Sequence, residues 1–347
     1  MNTHSGQAIA DAQAARTSDV DWRALYARAI TDPEELLRRL ELPLSLLPGA
    51  LAGNSLFRLR VPEPLLERMR PGDVADPLLR QVLPLEAEAM EAAGFDPDPV
   101  GDLQAMAVPG VLHKYSGRAL IVTTGACAVN CRYCFRRSFP YSDAQTGGHR
   151  WQAALAYLRQ DRSISEVILS GGDPLVLSDH KLAAMVRDLE SITHINRLRI
   201  HSRLPVVLPQ RVDDALLGWL RRSRLQRVVV LHANHANELD HNVELACRRL
   251  RDTGVTLLNQ AVLLRGVNDD TDTLARLSER LFAIGVLPYY LHVLDRVQGA
   301  AHFLVEEPEA KRLLQELASM LPGYLVPRLA REDAGEPNKT LLLPATD

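Results

Sequence analysis

Cys127, Cys131 and Cys134 stand in the segment GACAVNCRYCFRR at C-x3-C-x2-C spacing. Three thiolates on one short loop can hold three irons of a cubane [4Fe–4S] cluster and leave the fourth iron open to an exogenous ligand. The alternative is a structural zinc site completed by Cys247 or a histidine. Such sites favour paired C-x2-C knuckles, and Cys247 lies in a stretch of helical periodicity. A second segment, LSGGDPL, ends an apolar run with Ser170, Gly171, Gly172 and Asp173. Paired glycines let the backbone approach a ligand closely, and a carboxylate can bind an ammonium group.

The elements that must carry these residues show in the periodicity. From Arg118 onward, six β-rich apolar runs (118–124, 166–170, 197–202, 227–233, 256–264 and 288–294) alternate with stretches carrying a helical apolar stripe. That alternation predicts an α/β fold of parallel strands joined by right-handed crossovers. Six units, fewer than the eight of a closed barrel, favour a partial (β/α)6 TIM-like barrel over an open doubly wound sheet. In barrel folds reactive groups gather at the C-terminal strand ends. The three cysteines, the Gly-Gly-Asp segment, His201 and Arg203, His232 and Asn234, and His292 and Asp295 all fall there, while Asn259 and Gln260 sit less terminally.

The expected organisation is a mobile tail over 1–20, an N-terminal helical region over 21–105 broken by prolines, the barrel over 106–305, and a C-terminal helix with an extended tail over 306–347. The 46% apolar and 24% charged fractions are those of a soluble globular protein. A net charge of −3 speaks against a protein held on nucleic acid by its overall field. No run reaches the roughly 20 apolar residues of a membrane span, and the first twenty residues lack a secretory apolar stretch, so a cytoplasmic protein is expected. Four cysteines are too few for a disulfide scaffold. Only four lysines, Lys114, Lys181, Lys311 and Lys339, are available for amine chemistry.

Taken together, the cysteine motif and Gly-Gly-Asp resemble the radical S-adenosylmethionine (SAM) superfamily. HKYSGRAL, CRYCFRR, LSGGDPLVLSD, HSRLPVVLPQR, HANHANEL, NQAVLLRGVND, LDRVQGAAHF and GEPNKT, in that order, resemble the lysine 2,3-aminomutase family over roughly residues 60–343. The chain ends soon after Lys339, which resembles the bacterial branch acting with elongation factor P. The resemblance implies an isomerase that converts L-lysine to β-lysine with a [4Fe–4S] cluster, SAM and pyridoxal 5′-phosphate (PLP). It implies that Cys127, Cys131 and Cys134 hold the cluster, that Lys339 carries PLP, and that Tyr115 and Arg118 lie near PLP. Ser170, Gly171, Gly172, Asp173, His232 and Gln260 would contact SAM. Arg136 would hold the substrate carboxylate, and Asp295 the side-chain ammonium. A second carboxylate is needed seven residues before the PLP lysine; the loop differs here, and of Glu332 and Asp333 the reading selects Asp333. The implied partners are L-lysine, a flavodoxin or ferredoxin as electron donor, and elongation factor P with its lysyl ligase; self-association is left open. Another radical SAM class, such as an RNA methylase, is the alternative, although such enzymes commonly need further reactive cysteines and only Cys247 is spare.

Overall fold

The computed structural model describes residues 21–144 and 148–343; the expected mobile tail over 1–20 lies outside them. Ten strands form one sheet in strictly sequential order, β1 (Met106–Val108), β2 (Val111–Tyr115), β3 (Arg118–Thr124), β4 (Glu166–Gly171), β5 (Arg197–Ser202), β6 (Gln226–Leu231), β7 (Thr256–Val262), β8 (Leu287–His292), β9 (Arg328–Arg331) and β10 (Thr340–Leu341). Strands β3 to β9 pair in parallel, and antiparallel hairpins flank them at both edges. The sheet does not close on itself. It is the partial TIM-like barrel of the expectation.

The six predicted strands coincide with β3 to β8 to within a few residues. The seventh parallel strand, β9, has the sequence RLAR, too short and too charged to announce itself by hydropathy. Its pairing with β8, Tyr290 to Arg328 and His292 to Ala330, decides its place.

The longer helices ahead of the sheet are α1 (Trp22–Ala27), α2 (Pro33–Arg39) and α3 (Leu47–Leu56), followed by single turns at Glu63–Leu66 and Pro77–Arg80. Around the strands lie α4 (His149–Gln160), α5 (Asp179–Glu190), α6 (Asp214–Arg222), α7 (His241–Arg251), α8 (Thr271–Ala283) and α9 (Glu307–Met320). Ser178, Asp213, Asp240 and Asp270 cap α5 to α8 by accepting backbone N–H groups of the first turns, which fixes where each crossover begins. Within the region expected to be helical, Glu86–Ala89 forms only a 3-10 turn, and the Glu88 side chain turns inward and binds the Leu85 N–H, Arg132 and Arg137.

One apolar core runs from Leu36 of the N-terminal region through Ile121 and Leu169 of the strands to Leu317 of α9. The N-terminal region also grips the loop after β3: Arg60 and Gln81 carbonyls accept the N–H groups of Asn130 and Arg132. The segment ahead of β1 forms a parallel bridge, Asp96 to Val297, with the loop after β8.

Candidate active site

A cavity of about 470 Å³ opens where the strands end. Cys127, Cys131 and Cys134 line it, together with Ser170, Gly171, Gly172 and Asp173, and with Arg136, His232, Gln260 and Asp295. Tyr115, Arg118 and Lys339 complete the set of sequence-predicted residues that the fold gathers there. Asp333 is the exception.

The cysteine loop and the glycine pair are built against each other. Gly171 has φ +116° at a register shift between β3 and β4, and a Cβ there would lie 2.7 Å from the Thr124 carbonyl oxygen. A Cβ on Gly172 would lie 2.4 Å from the Ala126 carbonyl oxygen. Side chains are excluded because the Gly172 and Asp173 N–H groups donate to those same carbonyls, at 2.7 and 2.8 Å. The Asp173 carboxylate is not free to meet an ammonium group. It accepts from Ser202 Oγ (2.8 Å) and from the N–H groups of Leu175, Arg203 and Leu204 (3.0, 2.8 and 3.0 Å), which ties the end of β4 to the end of β5.

Burial pushes the Cys127 thiol up strongly and the Cys134 thiol up to about 11, and neighbouring cysteines add to both. Thiols packed this closely resist ionisation alone; a coordinated metal ion would supply the positive charge that makes them thiolates. Cys247 is buried on α7 and is absent from the cavity wall, so it neither completes a metal site nor offers a second reactive thiol there.

Across the cavity runs a ladder of alternating charges. Arg136 Nε donates to Asp102 Oδ2 (2.6 Å), and Lys114 Nζ bridges Asp102 Oδ1 (2.6 Å) and Glu332 Oε1 (2.7 Å). Lys339 Nζ reaches Glu332 Oε2 at 2.5 Å. Burial alone would raise the Glu332 carboxyl, but the two lysine ammonium groups outweigh it and hold it at about 2. Asp295 is pushed up to about 7 by burial and then by the Glu332 charge.

Glu332, not Asp333, is thus the acidic group that meets Lys339. The β9–β10 hairpin pairs Arg331 with Thr340, so Glu332 and Lys339 are the next partners in register and face the same side. Asp333 falls on the other side, where its carboxylate accepts from Arg331 Nε (2.7 Å) and Thr340 Oγ1 (2.6 Å). A one-residue step along a strand reverses the face.

Lys114 was named only as one of four amines, and Asp102 was not singled out. The signal for Lys114 was present: alternation in VLHKY before the Ser116–Gly117 turn makes a hairpin, with Leu112 and Lys114 facing the cavity and His113 bonded outward to Tyr157. Asp102 carried none. Of the pair in β7, Gln260 lines the cavity, whereas Asn259 is buried behind it and bonds the Ala233 backbone.

His201, His232 and His292 line the same cavity, and among the described residues the buried Nε2 atom of each has no hydrogen-bond partner. His201 and His232 meet edge to face with centroids 5.8 Å apart. Burial is the main cause that lowers all three, His232 to about 4 with help from Arg203, so the rings are neutral at physiological pH. Neutral, orphaned ring nitrogens in a polar cavity are disposed to bind a ligand. Arg118 stacks over the Tyr115 ring at 4.6 Å, close to Lys114 on the hairpin. That cationic corner suits a phosphate.

Comparison with known proteins agrees with this geometry. The profile of the Radical SAM superfamily matches residues 121–277. L-lysine 2,3-aminomutase of Escherichia coli is 53% identical over 93% of this chain and 94% of its own length, and that of Haemophilus influenzae is 50% identical over 92% and 95%. The chain belongs to the radical SAM L-lysine 2,3-aminomutase family. A more distant member of the family, from Clostridium subterminale, is 34% identical over 93% of this chain and 78% of its own. Members of this family are isomerases that use a [4Fe–4S] cluster, SAM and PLP. The residues on the wall fit all three: thiols that need iron, a glycine cradle with orphaned imidazoles beside it, and a lysine amine beside a cationic corner. Among the described residues no helix is long and apolar enough to cross a membrane.

Proposed function

We propose that this cavity converts L-lysine to β-lysine, with Cys127, Cys131 and Cys134 holding the cluster and Lys339 holding PLP. The observation that carries the proposal is the charge ladder, which presents a guanidinium at one end and paired acidic groups, Glu332 and Asp295, at the other. A diamino acid has the complementary order of charges.

When bound, the cluster and SAM supply a carbon-centred radical that abstracts hydrogen, and PLP supplies the π-system through which the amino group migrates. The chain's own residues position and shield. Arg136 spends Nε on Asp102 and one terminal nitrogen on Ser170 Oγ (3.2 Å), which fixes the guanidinium plane and leaves further N–H groups for the substrate carboxylate. Asp295 and Glu332 receive the side-chain ammonium, and its charge favours the ionised form of Asp295. Fixing both ends leaves one stretch of the carbon chain to face the reactive centre. Lys339 shares the Glu332 carboxylate with Lys114, so Lys114 keeps that carboxylate in place when the Lys339 amine is engaged elsewhere.

Beyond the reaction, we read the product as destined for elongation factor P, with a low-potential flavodoxin or ferredoxin as reductant. The sequence resemblance supports this, as does the greater likeness to the Escherichia coli and Haemophilus influenzae chains than to the clostridial one. The test is anaerobic reconstitution with iron, sulfide, SAM, PLP and reductant. Chiral mass spectrometry should find β-lysine formed from L-lysine, and a ligase-coupled assay should find it on elongation factor P. Recovery of L-lysine alone would end the proposal.

A further inference from the structure

Arg203, at the end of β5, is buried at 6% exposure, and its side chain reaches the cysteine loop. One terminal nitrogen donates to Cys131 Sγ and to the Tyr133 hydroxyl, both at 2.7 Å. The other donates to Gln81 Oε1 (2.7 Å) and Glu238 Oε2 (2.8 Å). The Tyr133 hydroxyl, which Arg203 also touches, shares that sulfur as a side-chain hydrogen-bond partner.

The guanidinium is held from four directions. Asn234 Nδ2 donates to the Tyr133 hydroxyl (2.7 Å) and to Gln81 Oε1 (3.0 Å), and Gln81 Nε2 donates to Glu238 Oε1 (3.2 Å). Glu238 also accepts the N–H groups of Asn234 and His235, at 2.8 and 3.1 Å. The Tyr133, Gln81 and Glu238 acceptors are thus themselves held, while Arg203 Nε is buried with no hydrogen-bond partner among the described residues. The guanidinium charge therefore stands at a set distance from the Cys131 sulfur and reorients little when the charge on that sulfur changes.

We propose that Arg203 raises the reduction potential of the cluster, as a positioning residue acting through the Cys131 sulfur. The inference rests on the assignment of the three cysteines as cluster ligands. One-electron reduction adds a negative charge to a cluster already bound by three thiolates. Hydrogen bonds and positive charge at the ligating sulfur stabilise that reduced form. Glu238 opposes the effect by compensating part of the guanidinium charge, so the pair sets the potential between two limits. An enzyme that must pass an electron from a soluble low-potential donor into its cluster gains from the upward shift. A purely structural anchor would not require the cation to point at sulfur.

The experiment is a dithionite titration, with redox mediators, of anaerobically reconstituted protein without SAM, followed by the electron paramagnetic resonance signal of the reduced cluster. Arg203→Gln should move the midpoint to more negative potential, Arg203→Lys should restore part of it, and Glu238→Gln should move it to more positive potential. A fully loaded Arg203→Gln protein with the unsubstituted midpoint would overturn the inference. If Arg203→Gln takes up no iron, Glu238→Gln decides: a positive shift supports the inference, and no shift or a negative one overturns it. Absence of a four-iron cluster in the unsubstituted protein would remove the cysteine assignment and the inference with it. A loaded cluster with unmoved midpoints would remove the inference alone.

Discussion

Glu332 Oε2 and Lys339 Nζ stand 2.5 Å apart across the mouth of the β9–β10 hairpin, one register step beyond the Arg331–Thr340 pair. The hairpin thus delivers a carboxylate and an amine to the cavity on a common face, while the adjacent acidic residue is turned away. The contact is between groups with different tasks, so substitutions at the two positions separate.

Replacing Lys339 by alanine should abolish turnover, and PLP should no longer be fixed to the chain by borohydride. The cluster loop is independent of this hairpin, so iron should remain at about four per chain. Iron analysis and borohydride trapping on the same preparation check both halves.

Glu332→Gln and Asp333→Asn should differ although the residues are neighbours. The first removes the anion that meets Lys114, Lys339 and the substrate ammonium. A charged hydrogen bond of about 1.5–3 kcal/mol is lost, and KM for lysine should rise roughly ten- to hundredfold. The second breaks bonds only to Arg331 and Thr340 and should leave KM within about twofold. Steady-state kinetics of the two variants decide which carboxylate binds.

Acid should weaken lysine binding before it harms the fold. With its carboxyl pushed up to about 7, Asp295 loses its charge as pH falls through that value, and KM should rise toward acid with an inflection near it. The folding term runs the other way. A carboxyl raised above its unfolded value of about 3.9 contributes stability at low pH, and that contribution is lost as pH rises to about 7. Asp295→Asn should therefore raise the thermal midpoint of the lysine-free protein at pH 8 by a few degrees and remove the inflection in KM.

Gly172→Ala tests the cradle. The added methyl would meet the Ala126 carbonyl at 2.4 Å, so the cysteine loop must shift away from β4. Iron content should fall well below that of the unsubstituted protein after identical reconstitution, with the far-ultraviolet circular dichroism unchanged.

The cysteine spacing, the glycine pair and the six strand periods are local properties, each visible in a window of a few residues, and the structure sets them together at one end of the sheet as such periods require. The same local signals do not say which partners a carboxylate finds. Asp173 has the residue type to bind an ammonium group, but its four backbone and hydroxyl donors are contributed by the end of β5, the residues just after it and the turn after β4. Choosing between Glu332 and Asp333 needs the register of a hairpin whose strands carry almost no hydropathy signal.

By itself the amino-acid order determined which chemistry the chain can carry, because three thiols on one loop and a lysine in a Gly-Pro-rich segment have that capacity wherever they lie. Tertiary structure alone decided the pairing of charges. Asp102, Lys114 and Glu332 are separated by 12 and 218 positions in the chain, and Arg203 lies 72 positions from Cys131. Coulomb attraction falls with distance in space and is indifferent to distance along the chain, so only folding could bring these partners within reach.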